Sequence, residues 1–119
     1  MKRDERLVFL QKLKAENSPE TIMDQLPIML ADVKELLAKV TLAPDKLDAV
    51  DYFDQLQEIH ETLSNIAFVK WVPLDKELGK FLVDCERLDD DIMRDIIFQE
   101  LKTGQYHLAS GISLRGDIC

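Results

Sequence analysis

The chain has 119 residues, a net charge of −8, two cysteines, four glycines and four prolines. A chain of this length fills one ordinary domain and buries roughly two-thirds of the surface it exposes when unfolded, so it can fold without a metal or a disulfide framework. So few Gly and Pro exclude a turn-rich β architecture, and the acidity disfavours binding to phosphate backbones or anionic lipid.

The charge is unevenly placed. Residues 1–43 balance, with seven basic and seven acidic side chains. Residues 44–66 carry six acidic residues against Lys46 alone, a net of −5. Residues 67–119 carry a net of −3, concentrated between Asp84 and Asp95. The first ten residues hold only four consecutive apolar ones, too few for a signal-peptide core, and no run approaches a membrane span. The expectation is a cytoplasmic, reducing compartment in which Cys85 and Cys119 stay unpaired.

Residues 4–15 read as a short helix, with Asp4 and Glu5 at its start, Lys12 and Lys14 at its end, and Leu7, Leu10 and Leu13 as its apolar line. Ser18-Pro19-Glu20 opens a second helix, since Ser18 can cap it and Pro19 suits the first helical position. There Ile22, Leu26, Met29, Val33, Leu36 and Val40 recur at steps of four and three. Pro27 interrupts this stripe and predicts a kink or a restart. The stripe reads as a bundle core; self-association through residues 22–40 is the alternative.

Thr41 to Pro44 forms the next boundary, and the stretch from Pro44 to Phe68 is the centre of the chain. Tyr52, Leu56, Ile59, Leu63 and Ile66 line one side of a helix. Asp51, Asp54, Glu58 and Glu61 form a second, anionic stripe beside it. The segment 66–72 reads as helix or strand, with helix favoured because the stripe runs into Ile66 without a turn signal. Trp71, beside Phe68 and Val72, reads as a core anchor or an exposed hot spot, with the core favoured because Trp is usually well buried.

After Pro73, Leu74, Leu78, Phe81, Cys85 and Leu88 repeat the same spacing. Gly79 weakens this helix and suggests close approach of another. Asp89-Asp90-Asp91 precedes Ile92, Met93, Ile96, Ile97 and Leu101; Asp89 caps a new helix, or residues 74–102 form one bent helix. Lys102 and Gly104 mark a stop. Residues 105–119 read as a small hairpin or an extended tail.

The fold predicted is therefore all-α: a single-domain antiparallel bundle of four to five helices over residues 1–104, followed by a tail or hairpin over 105–119. No nucleophile elbow, phosphate-binding loop or dinucleotide fingerprint is present. A helical di-metal site needs Glu-x-x-His pairs, whereas the residue three before His60 is Gln57. The reading is a non-enzymatic module without metal or cofactor. Asp51, Asp54, Glu58, Glu61, Asp89, Asp90 and Asp91 form its contact surface for a basic protein partner. Roles that fit are an inhibitor or immunity-type protein covering a basic active site, an adaptor or a chaperone. The alternative is a helical metal-binding protein or enzyme using Glu58, His60 and Glu61. The main reading requires the carboxylates to be free of the chain's own lysines and arginines.

Overall fold

The computed structural model describes residues 1–106. Five helices follow in order: α1 (Arg3–Ala15), α2 (Pro19–Leu42), α3 (Lys46–Val69), α4 (Lys76–Cys85) and α5 (Asp91–Lys102). A 3-10 turn, Glu86–Asp89, joins the last two. No strand occurs among the described residues. The expected tail or hairpin lies, from residue 107 onward, outside them.

Local chemistry sets the boundaries. The Ser18 hydroxyl accepts from the Thr21 amide at 3.3 Å, with Pro19 at the first helical position. Asp45, Asp75 and Asp90 cap α3, α4 and α5 in the same way, accepting from the amides of Asp48, Leu78 and Ile92. The cap of α5 is thus Asp90 rather than Asp89, and the region 74–102 is two helices rather than one bent helix. Pro27 does not break α2, which runs continuously through it. Pro27 and Met23 are both exposed, so the carbonyl left without its N–H donor lies on the wet side of the helix.

The core is built on α3, which packs against each of the other four helices. Its fully buried residues are Ala49, Phe53, Ile59, Leu63 and Ile66, with Leu56 almost so. Against them lie Ile22, Met29, Val33, Leu36 and Val40 of α2, Leu10 and Leu13 of α1, and Leu78 and Phe81 of α4. Phe98 and Leu101 of α5 close the far side. Short links at 16–18 and 43–45 reverse the chain, so α1 and α3 run in the same sense with α2 opposed. Arg3 at the start of α1 meets residues 51 and 58, and Lys70 after α3 reaches the end of α1.

Several expected core positions differ. Leu7 is exposed, and its place on the inner face of α1 is taken by Arg6. Tyr52 is half-buried beside a fully buried Phe53. Ile92, Met93 and Ile96 face outward, because α5 presents Ile97, Phe98 and Leu101 to the core. Among the described residues nothing packs close to Gly79: a Cβ there would meet none of their atoms within 4 Å.

Arg6 is the buried member of a polar network. Its guanidinium donates to both oxygens of Asp32, to Oε1 of Gln55 and to the Met1 carbonyl. Gln55 in turn donates to Asp51 at 2.8 Å, which carries the network out to the surface of α3.

Candidate partner-binding surface

The outer face of α3 follows the same spacing as its inner face. Leu47, Asp51, Asp54, Glu58, Glu61, Asn65 and Phe68 succeed one another at steps of four and three, so they lie along one line of the helix. The line is apolar at both ends and anionic in the middle. Four of the seven residues expected to bind a partner belong to it.

Three of those four are not free. Asp51 pairs with Arg3 at 3.0 Å, and Glu58 pairs with the same guanidinium at 2.7 Å. Arg94 of α5 pairs with Asp54 at 2.9 Å. The Glu58 bond and its charge hold the Arg3 guanidinium above its already high ordinary pKa. Glu61 alone has no ion-pair partner among the described residues. The expectation of an unpaired anionic edge is corrected on this point. Helix α1 lies beside α3 in the same sense and places Arg3 level with residues 51 and 58. The signal was an arginine in the first turn of a helix destined to flank the acidic one.

The second acidic group disperses. Asp89 ends the 3-10 turn, Asp90 is spent on the α5 cap, and Asp91 reaches Lys46 at 3.1 Å while remaining largely exposed. Asp90 and Asp91 are thus engaged apart, one on the cap and one on Lys46. Glu58, His60 and Glu61 do not gather either: among the described residues no three His, Cys, Asp or Glu side chains are grouped to hold a metal.

Of the two sequence readings of Trp71, core anchor and exposed residue, the structure overturns the favoured one, the core. Trp71 is 85% exposed and Phe68 is 77% exposed, with Val69 also outside. The backbone explains the geometry. Lys70 is the C-cap of α3, and its ammonium donates to the carbonyls of Lys14 and Glu16, fastening the end of α3 to the end of α1. Val72 is buried. Between these two fixed points Trp71 adopts φ +57°, which turns the chain and throws its indole outward. This is the position after a helix C-cap where glycine is usual. An L side chain there costs on the order of 1 kcal/mol, and a bulky one is a genuine outlier. The signal for Phe68 was legible: it stands seven residues after Glu61, on the line already read as outward-facing.

No helix among the described residues is long and apolar enough to cross a membrane. A comparison with curated proteins finds no match, and neither does a comparison with solved structures. A family model described as "Immunity protein CdiI-like" matches residues 6–103, from the buried Arg6 to the end of α5 and so across all five helices. An immunity protein has a toxin protein as its partner, and such families are typically non-enzymatic. The chain therefore belongs to the CdiI-like family of immunity proteins.

Proposed function

We propose that this protein neutralises a toxin by binding it, non-enzymatically, through the outer line of α3 and the aromatic end that continues it. The toxin presents a basic surface. The observation that carries the reading is a surplus of negative charge that survives internal pairing. Asp51, Asp54, Glu58 and Glu61 face two guanidiniums, Arg3 and Arg94, which leaves −2 on the line within a chain of −8. At distances beyond a few ångströms a partner responds to that sum, and steering depends on it.

Pairing sorts the carboxylates by what exchanging their partner would cost. The Arg3 pairs are open to solvent on the Arg3 and Asp51 side, and exposed pairs of this kind are worth about 0–1 kcal/mol. A toxin arginine can replace Arg3 there at little expense. The Arg94 side chain is only 14% exposed and bonded elsewhere, so Asp54 stays with it. Glu61 is available to the toxin as it stands and Asp51 by exchange of Arg3, whereas Glu58 is only 30% exposed and contributes chiefly its charge. Asp91 and, more weakly, Asp90 add to the field near the start of α5.

The test uses a purified toxin domain encoded beside this chain's gene, with association followed by stopped flow across a salt series. The rate should fall as salt rises, and Asp51→Asn with Glu61→Gln should slow it at low salt and flatten the dependence. A rate indifferent to both salt and substitution would remove the basic-partner reading.

A further inference from the structure

We infer that Trp71, with Phe68 and Val69 around it, is the hydrophobic anchor of the toxin complex, seated in an apolar pocket beside a basic patch on the toxin. This rests on the toxin-binding reading above and assigns the contact that dominates affinity.

The argument begins from what Trp71 does not do. Among the described residues its side chain buries almost nothing, so packing there does not call for tryptophan. Its backbone occupies the left-handed region, so folding would prefer glycine. Both fixed neighbours, Lys70 on the α1 carbonyls and Val72 in the core, would keep their places with glycine between them. Strain held where it serves no internal contact is characteristic of functional positions. Tryptophan is also the residue most enriched where a few contacts carry most of a protein interface's energy.

Charge and position identify the occupant. The apolar end lies on the same helical line as Glu61 and Glu58, which stand about two and three turns back from Phe68. Near the end itself Lys70 is spent on carbonyls, and Glu61 is the nearest carboxylate on the line without an internal partner among the described residues. A surface complementary to this one has a pocket for an indole and a cationic rim on the side facing α3. A second copy of the chain does not fit that description, since it would bring its own anionic line against this one.

Trp71 is the only tryptophan, so 5-fluorotryptophan labelling gives one 19F resonance that reports on this side chain alone. In the free protein its shift should respond to replacing H2O by D2O, as for an exposed indole. With the purified toxin domain encoded beside the gene, the resonance should move and lose that response. Trp71→Gly should weaken toxin binding at least ~30-fold and leave the melting temperature equal or higher, which a structural tryptophan would not allow. Trp71→Phe should recover part of the affinity.

Equal toxin affinity for Trp71→Gly, or a lowered melting temperature, overturns the anchor while leaving toxin binding intact. Concentration-dependent self-association with loss of the D2O response means that a second copy covers the patch, and it overturns the inference as well. Failure of the wild-type chain to bind the toxin sinks the toxin-binding reading and this one with it.

Discussion

Arg6 and Asp32 meet inside the molecule, with side chains 1% and 2% exposed, and the guanidinium engages both carboxylate oxygens. The pair joins α1 to α2, and Gln55 joins it to α3. Three helices are thus registered by one polar contact within an apolar interior. Removing Arg6 leaves the buried Asp32 carboxylate with only the Met1 ammonium, at 3.3 Å, as a counter-charge, and loss of a buried partner of this kind costs about 3–5 kcal/mol. Arg6→Met should therefore destabilise the protein by that amount in urea melts. The double variant Arg6→Met/Asp32→Leu should recover most of the loss, because neither charge then remains to be desolvated. A double variant no more stable than the single one would show that Gln55 and the Met1 carbonyl, rather than Asp32, account for the effect.

Gly79 lies in α4 with an ordinary helical backbone and open space where a Cβ would go. Gly79→Ala removes conformational freedom from the unfolded chain and adds no clash. The expected gain is about 1 kcal/mol, read as a higher denaturant midpoint with an unchanged slope. A loss instead would mean that the helix is approached at this point by a group beyond the described residues.

The Met1 ammonium and Glu35 are linked at 2.8 Å, with Asp32 at 3.3 Å from the same ammonium. The hydrogen bond to Glu35 is the largest influence raising the amine above its ordinary 8.0, and the same bond lowers Glu35 below its ordinary 4.5. The signs follow from linkage. The amine's contribution is complete below 8.0 and is lost as pH rises through the raised value; that of Glu35 is complete above 4.5 and is lost as pH falls through the depressed one. Both groups are open to solvent, so the effect is small. Melting temperatures of wild type and Glu35→Gln should differ most near neutrality and converge at either extreme. A constant difference across pH would exclude this linkage.

The helices were legible because hydrophobic spacing is a local property. Leu56, Ile59, Leu63 and Ile66 are buried where their spacing puts them, and Ser18 caps where a serine before Pro-Glu should. What failed was everything that depends on which helix lies beside which. Arg3 and Arg94 are 48 and 40 residues from the carboxylates they neutralise, and no periodicity records that. Trp71 was misplaced for a different reason. Its type argues for burial, whereas its outward direction is set by one backbone angle between Lys70 and Val72. The buried pair was within reach of the pattern: Arg6 shares the line of Leu10 and Leu13, and Asp32 stands between Met29 and Leu36 on the stripe of α2. Opposite charges inside two apolar stripes need each other.

Arg94 separates stability from steering, because it serves both. Its Nε donates to the Leu88 carbonyl at 2.7 Å, holding the 3-10 turn against α5, and its Nη2 donates to both Asp54 and Gln57 of α3. The guanidinium also stands 5.7 Å from the centre of the Phe53 ring. Three hydrogen bonds in a half-buried setting make Arg94→Ala costly, on the order of 2–4 kcal/mol. Lysine lacks the fork that serves Leu88 and Asp54 together, so Arg94→Lys should recover less than half of it. Asp54→Asn should cost under about 1 kcal/mol, since its carboxylate is half exposed. Arg94→Ala also removes a positive charge from the acidic line. Well below its melting temperature, and at low salt, it should therefore bind a basic toxin faster than wild type does, although it is the less stable protein. Asp54→Asn should bind more slowly at nearly unchanged stability. If both variants change the rate in the same direction, net charge on the line is not what guides the encounter.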